Sequence, residues 1–337
     1  MTSMTQAPPS DPPEQTDLPQ AVAPQSIEPM RNSRSTTRVP WRKAIRRNWQ
    51  LYSLLVLPVA WFVIFRYLPM AGNIIAFRNY IPGGNIFGEG WIGLENFQMF
   101  LADPTFWQVF RNTAVLGGLT LLFGFPVPIV LALLLNELRS RVFKRFVQTT
   151  TYLPHFLSIV IVAGMIMQIT SMTGSINQLL SAIGLQKITF LQDAGWFPAI
   201  YVGSEIWQTM GWGTILYLAA LTTIDDSLYE AARIDGAGRL SQTWHVTLPG
   251  IRPTIVTLLI LNIGSFMAVG FEKVLLLYNP ATYSTADVIS TYLYRVGLQS
   301  GSFSYAAAIG IFEAVIGLIL VLGANFVSRR TIGASLW

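Results

Sequence analysis

Long apolar stretches constrain this chain more than any other feature. Residues 113–135 and 146–171 contain no Asp, Glu, Lys or Arg. Each can cross a hydrocarbon core about 30 Å thick, which requires roughly 20 helical residues. Charged residues make up 12% of the chain, against about 25% in soluble domains. We therefore predict an all-α polytopic membrane protein with six transmembrane helices, near residues 50–72, 111–136, 146–171, 196–222, 252–272 and 303–327.

The residues before the first predicted span have a different composition. Residues 1–30 include seven prolines and no Lys or Arg, so they offer too little apolar surface to offset the entropy of ordering the chain. Seven basic residues follow between Arg31 and Arg47. We expect residues 1–48 to be a disordered, basic-ended cytoplasmic tail and residues 49–337 to be the membrane domain.

The distribution of Lys and Arg predicts the orientation. If the N-terminus is inside, the cytoplasmic segments hold 16 of these residues and the opposite side holds six. Because short cytoplasmic loops are enriched in Lys and Arg, both termini and the loop between the fourth and fifth spans should be cytoplasmic. The net charge of +5 does not indicate nucleic acid, because the basic residues adjoin apolar segments and form no aromatic-bearing basic face.

Several chemistries lack the residues they need. The chain has no cysteine and only two histidines, His155 and His245, so we expect no metal site. None of the four lysines follows a glycine, which excludes a phosphate-binding Gly-Lys-Ser/Thr loop. No Ser-His-Asp arrangement or HExxH pattern stands out, so an intramembrane enzyme is not favoured. If ATP drives this protein, another chain hydrolyses it.

The loop between the fourth and fifth spans carries a specific local pattern. Ser227 and Glu230 have the spacing of a capping box, which predicts a helix start. Gly236 suits the end of that helix, because glycine readily adopts the left-handed conformation found there. A second short helix is expected over about 238–246, ending at the Leu-Pro pair 248–249. An exposed apolar knob would then consist of Tyr229, Ala232, Ile234 and Ala237.

This loop resembles the cytoplasmic EAA loop of importer-type ABC permeases. Both have Glu-Ala-Ala, three residues, Gly, nine residues, a branched residue, one residue and Leu-Pro, with Val246 in place of the usual Ile. The resemblance implies that the loop docks an ATPase subunit. The residues it implies for coupling are Tyr229, Glu230, Ala231, Ala232, Asp235, Gly236, Ala237, Leu248 and Pro249.

Further motifs are similar to the LplB-like permeases, a branch of the maltose-type carbohydrate importers. They are Tyr-Leu-Pro-Met at 67–70, Trp-Ile-Gly-Leu-Glu-Asn-Phe at 91–97, Tyr-Leu-Pro-His-Phe at 152–156, Gly-Trp-Gly-Thr at 211–214 and Tyr-Asn-Pro at 278–280. The likeness implies a multi-pass subunit of the bacterial inner membrane that pairs with a different permease subunit. It further implies two ATPase subunits that bind ATP and Mg, an extracytoplasmic solute-binding protein, a carbohydrate cargo, and no catalytic residue or cofactor on this chain.

Polar residues within the predicted spans are candidates for the substrate path, because ionisable groups at membrane depth are costly to bury. In the sixth span Glu313 shares a helical face with small residues. In the fourth and fifth spans, polar and aromatic residues repeat at helical spacing and suit a sugar. The candidates are Tyr201, Glu205, Gln208, Trp212, Asn262, Phe266 and Glu313.

Two alternatives stay open at this point. The polar residues could serve only in hydrogen bonds between helices, and His155 could be an isolated structural residue, with His245 at the docking surface. The protein could also be an ion-coupled secondary transporter of a small polar solute. Such transporters usually show internal repeats and interrupted helices, and this chain shows no convincing repeat.

Overall fold

The computed structural model describes residues 48–85 and 87–331. Regular structure within these ranges is helical, apart from one antiparallel bridge between Arg78 and Trp91. The predicted disordered tail lies outside the described residues, except for Asn48. The chain divides into two units, Met1–Trp61 and Phe62–Trp337. The described part of the first unit is residues 48–61, and all of it except Asn48 belongs to one helix.

The α-helices of the described ranges are numbered in chain order. They are α1 Trp49–Phe62, α2 Leu68–Ala71, α3 Glu95–Ala102, α4 Pro104–Leu119, α5 Pro126–Glu137, α6 Arg141–Tyr152, α7 Ile159–Thr170, α8 Ser175–Ala182, α9 Phe197–Leu221, α10 Asp226–Ile234, α11 Arg239–Gln242, α12 Leu248–Gly264, α13 Phe271–Leu277, α14 Tyr283–Ala286, α15 Ile289–Leu293 and α16 Phe303–Thr331. Short π-helical or 3-10 turns lie between several of them, at Val63–Tyr67, Gly72–Phe77, Thr120–Gly124, Leu153–Phe156, Thr243–Thr247 and Tyr294–Gln299.

Five stretches of the described chain are long and apolar enough to cross a membrane. They are Trp49–Phe77, Pro104–Glu137, Ile159–Ala182, Arg239–Gly264 and Phe303–Arg330. The predicted fourth span corresponds to α9, which has 25 residues but is not one of the five. Polar residues such as Glu205 and Gln208 lower its mean hydropathy. The multi-pass architecture is thus confirmed, whereas the count of six spans stays a prediction.

The third predicted span, 146–171, is wrong as one continuous helix. The chain forms α6, a 3-10 turn at Leu153–Phe156 and then an extended Leu157 and Ser158 before α7. Pro154 cannot donate the helical hydrogen bond that continuation of α6 would need. Ser158 then starts α7, because its hydroxyl accepts a hydrogen bond from the Ile161 amide at 3.3 Å. The predicted fifth span also ends early, at Gly264.

Helix α9 is the structural centre of the second unit. It packs against α5, α6 and α12, while α16 packs against α12 and the 3-10 turn at Gly72–Phe77. At Gly211 the backbone of α9 touches the Thr151 carbonyl of α6, and at Gly117 the backbone of α4 approaches the Phe266 carbonyl. A side chain at either glycine would collide with a carbonyl oxygen, so close backbone approach fixes the positions of α6 and of the turn after α12.

A buried ion pair holds the segment after α13. Arg295 donates two hydrogen bonds to the Asp287 carboxylate, at 2.8 and 2.5 Å, and Thr291 donates a third at 2.7 Å. Asn112 of α4 donates to the Asp287 carbonyl at 3.0 Å. The hydrogen bonds from Arg295 to Asp287 raise the pKa of the guanidinium above its usual value. This network ties residues 287–295 to α4, which lines the cavity described below.

Candidate functional site

The loop between α9 and α12 begins at an aspartate cap. The Asp225 carboxylate accepts a hydrogen bond from the Ser227 amide at 2.9 Å, and α10 starts at Asp226. The predicted capping box of Ser227 and Glu230 is therefore wrong, because Ser227 already lies inside the helix. Aspartate satisfies the free amides of a first turn as well as serine does. The hydrogen bond from the Ser227 amide also lowers the pKa of Asp225.

The end of α10 has the predicted left-handed glycine. Gly236 has φ of 79°. The Ala237 amide donates to the Ala232 carbonyl at 2.9 Å and the Gly236 amide donates to the Arg233 carbonyl at 3.1 Å. These two bonds are those of a Schellman motif, which satisfies the last carbonyls of a helix. The chain thereby reverses between α10 and α11.

The second helix of the loop does not end where the Leu-Pro pair predicts. Helix α11 continues through the π-helical turn Thr243–Thr247 into α12, which begins at Leu248. Pro249 lies in the first turn of α12. The wider π turn before it accommodates the missing amide hydrogen and the proline ring. The loop thus continues without a break into the helix that lines the cavity.

Exposed apolar side chains on this loop differ in part from the predicted knob. Tyr229, Ala232 and Ala237 are half-buried, and the Tyr229 hydroxyl lies 3.1 Å from the Thr247 hydroxyl. Ile234 is exposed as predicted, with 87% of its surface accessible. Sequence reasoning missed the three side chains that join it, although Leu240 and Trp244 have helical spacing. We define the apolar patch as Leu228, Ile234, Leu240 and Trp244, all exposed.

The remaining coupling candidates lie on the same loop and at the start of α12. Glu230, Ala231 and Asp235 are exposed on α10 and its C-terminal end. Leu248 is half-buried and Pro249 is exposed at the start of α12. The loop therefore presents small, acidic and apolar side chains on α10, at its C-terminal end and at the start of α12.

A cavity of about 420 Å³ lies beside α9. This volume is within the range of about 300–1,000 Å³ for small-molecule sites. Residues of α4, α5, α9, α12 and the following turn line it, together with the π-helical turn at Thr120–Gly124 and the 3-10 turn at Leu153–Phe156. Five of the predicted path residues are on its wall: Tyr201, Glu205, Trp212, Asn262 and Phe266.

Two predicted path residues lie elsewhere. Gln208 is buried and is not on the cavity wall, because the cavity side of α9 is centred near Thr209. Successive residues of a helix are rotated by about 100°, which turns Gln208 toward neighbouring helices. Glu313 is half-buried on α16 and does not line the cavity either. Both stay candidates for the substrate path, but neither lines this cavity.

His155 is part of the cavity wall, which corrects its interpretation as an isolated residue. Its ring stacks on the ring of Trp212, with centroids 4.5 Å apart and planes 7° apart. Phe156 packs edge-on against Trp212 at 5.8 Å. The break in the third predicted span places His155 there, because it ends α6 opposite α9. We call the stacked rings of His155 and Trp212 the aromatic plate.

An ion pair missed by the sequence analysis stands behind the wall. The Lys273 ammonium lies 2.5 Å from Glu205 Oε2. The Lys273 side chain is 2% exposed, whereas Glu205 is 28% exposed and faces the cavity. The Tyr201 hydroxyl accepts a hydrogen bond from the Gly270 amide at 3.0 Å, which fixes the start of α13 beside the pair. The sequence contains a partial signal for this pair, since Glu205 is a charge inside a predicted span and Lys273 lies at the end of the next one.

Comparisons with known proteins match this chain to transport proteins. The profile of the family described as binding-protein-dependent transport system inner membrane component matches residues 124–333. Protein LplB of Bacillus subtilis (strain 168) is 47% identical over 293 residues, which cover 87% of this chain and 92% of that protein. The polygalacturonan/rhamnogalacturonan transport system permease protein YteP of the same organism is 47% identical over 289 residues, covering 86% of this chain and 90% of YteP.

Two solved structures are also similar. One is a bacterial ABC transporter involved in the import of the acidic polysaccharide alginate, with a TM-score of 0.81, 47% identity, and coverage of 86% of this chain and 99% of the matched chain. The other is a bacterial alginate ABC transporter in complex with an alginate pentasaccharide-bound periplasmic protein, with a TM-score of 0.82, 46% identity, and coverage of 88% and 99%.

Proposed function

Because this chain belongs to the inner-membrane components of binding-protein-dependent transport systems, we propose that it is the permease subunit of an ABC importer for an acidic oligosaccharide. The similarity to the alginate importer, at 47% identity over 86% of this chain, carries the proposal. YteP, named for polygalacturonan and rhamnogalacturonan, supports the same class of cargo. A uronate-containing oligosaccharide is thus the proposed substrate, and an ion-coupled secondary transporter is not favoured.

The cavity has the chemistry for such a cargo. The aromatic plate offers a flat surface to the C–H face of a sugar ring, and Trp212 is 48% exposed. Asn262 and Glu205 place polar atoms on the same wall, and a few polar groups among apolar ones are typical of ligand pockets. The proposed substrate contacts are therefore His155, Glu205, Trp212, Asn262 and Phe266.

The proposed assembly contains further subunits. A second permease subunit would complete the path, two ATPase subunits would bind ATP and Mg, and an extracytoplasmic binding protein would deliver the cargo. The apolar patch supports ATPase docking, because Ile234, Leu240 and Trp244 are each at least two-thirds exposed on one short loop and exposed apolar surface is typical of a protein interface. No cofactor is proposed on this chain.

The proposed function is tested by uptake of a uronate trisaccharide in cells that express the complete system. Uptake should require the binding protein and a hydrolysis-competent ATPase. An ion-coupled transporter would instead respond to dissipation of the ion gradient and would not require a binding protein. Uptake that persists without the binding protein would therefore contradict the proposal.

Trp212→Ala should lower uptake of the trisaccharide by roughly three- to tenfold, because the loss of one stacking ring costs about 0.5–1.5 kcal/mol beyond lost area. Trp212→Phe, which keeps a flat ring, should retain most of the uptake. Trp207→Ala is the matched control, since Trp207 is on the same helix, is 38% exposed and does not line the cavity. Equal losses in Trp212→Ala and Trp207→Ala would contradict a role of the aromatic plate in transport.

We propose that α9 also crosses the membrane, which brings the number of spans to six, and that both termini are cytoplasmic, as the asymmetry of Lys and Arg indicates. The chain has no cysteine, so a single introduced cysteine is a unique probe. Ser140 and Ser300 are both exposed on the surface of the protein. A difference in labelling between them would therefore report the side of the membrane and not burial inside the protein. An impermeant thiol reagent applied to intact cells should label Ser300→Cys and spare Ser140→Cys. The reverse pattern would exclude this orientation.

A further inference from the structure

The ion pair behind the cavity wall is asymmetric. Glu205 reaches the cavity with 28% of its side chain exposed, and Lys273 is 2% exposed on the far side of the carboxylate. Lys273 contacts Glu205 Oε2 at 2.5 Å, and its ammonium lies 5.9 Å from the centroid of the Tyr201 ring. A solute in the cavity therefore meets the carboxylate and not the ammonium.

Glu205 has an unusual position among the residues that line the cavity. Among the described residues on this wall it is the one carboxylate, and the wall includes no Lys or Arg. Without a counter-charge, that carboxylate would repel an anionic solute strongly, because charges interact more strongly at low dielectric than in water. Lys273 supplies the counter-charge from behind, where it cannot itself bind the cargo.

We propose that the Glu205–Lys273 pair sets the charge selectivity of the path: Glu205 accepts hydrogen bonds from sugar hydroxyls, while Lys273 cancels its charge so that uronate sugars can pass. This inference rests on the proposed function. The pair is a specificity element, with Lys273 as a positioning residue that acts through Glu205. A purely structural pair that only holds α13 against α9 would affect acidic and neutral cargo equally.

The test compares a uronate trisaccharide with its carboxyl-reduced, neutral counterpart. Each uptake rate is expressed relative to wild type for the same sugar, which cancels the preference of the binding protein. Lys273→Met leaves an unpaired carboxylate, so uptake of the acidic sugar should fall about tenfold or more below that of the neutral sugar. Glu205→Gln leaves a buried ammonium, so uptake of the acidic sugar should rise relative to uptake of the neutral sugar. Lys187→Met, the same change at an exposed loop residue, is the control and should leave uptake of both sugars as in wild type.

The double variant Glu205→Gln with Lys273→Met covers the case in which a single variant is poorly inserted. It removes both charges, so it should recover uptake of the acidic sugar relative to Lys273→Met, at equal membrane levels. Equal losses for both sugars, or a double variant as impaired as Lys273→Met, would overturn the inference. Failure of wild type to import either sugar, with the assembled complex present, would refute the proposed function instead.

Discussion

Gly236→Val is expected to abolish uptake and to weaken co-purification of the ATPase, while the permease still inserts into the membrane. Gly236 has φ of 79°, and a residue with a β-carbon pays roughly 1–2 kcal/mol in the left-handed region. An added β-carbon would meet no atom within 4 Å, so the effect comes from the backbone and not from a clash. Loss of the turn would change the direction in which α11 follows α10, and with it the relative placement of Ile234 and Leu240 of the apolar patch.

The matched control for this variant lies two residues further on. Gly238 has φ of −69°, and a β-carbon there also meets nothing within 4 Å. Gly238→Val therefore adds the same side chain to the same loop without left-handed strain, and it should retain most of the uptake and of the ATPase co-purification. Wild-type values in Gly236→Val, or equal losses in both variants, would remove the left-handed turn from the coupling mechanism.

The start of α10 also matters for coupling, and the structure changes which residue should be tested. The cap is Asp225, whose carboxylate holds the Ser227 amide, whereas Glu230 makes no such bond in the described residues. We therefore expect Asp225→Ala to weaken ATPase co-purification more than Glu230→Ala. The reverse order would indicate that Glu230 contacts the ATPase directly.

Features that depend on a single segment were predictable from the sequence. The last predicted span, 303–327, matches α16 closely, and the predicted fourth span matches α9 within a residue or two. Both follow from local sequence, because a mainly nonpolar segment of bilayer length satisfies its own backbone hydrogen bonds as a helix. The conformation of Gly236 is also local, since a glycine just after a helix commonly ends it in the left-handed conformation.

Proline effects were only partly predictable. Pro154 ends a helix, as the restricted backbone around proline favours, but the continuous span 146–171 was still wrong. Pro249 does the opposite, since α11 passes into α12 through a π turn. Which outcome occurs depends on whether the surrounding helices can hold a widened turn, and that depends on tertiary packing. The sequence near each proline does not contain this information.

Contacts between distant segments were beyond sequence reasoning. Glu205 and Lys273 are 68 residues apart, and His155 stacks on a ring 57 residues away in the sequence. Helical spacing places Glu205 and Trp212 on one face of α9, but it does not say which helix or turn lies opposite. Close backbone contacts contribute to that choice, and one of them brings Gly211 of α9 against the Thr151 carbonyl of α6.

Gly211→Ala should therefore have a large effect on the cavity. An added β-carbon would overlap the carbonyl of Thr151, a backbone group that cannot move without displacing α6. Overpacking of this kind costs about 1–3 kcal/mol or more. Because Trp212 is the next residue and His155 follows Thr151 by one helical turn, displacement of α6 would also separate the aromatic plate. We expect a lower thermal midpoint of the purified complex and uptake reduced at least as much as in Trp212→Ala.

Gly203→Ala provides the comparison on the same helix. A β-carbon at Gly203 meets nothing within 4 Å, and alanine is better than glycine inside a helix by roughly 0.5–1 kcal/mol. Gly211→Ala should thus lower the thermal midpoint of the complex. Gly203→Ala, the same substitution eight residues earlier, should leave the midpoint unchanged or raise it. Equal midpoints for the two variants would mean that α6 is not seated on α9 by this contact, and that the aromatic plate is positioned by the rings themselves.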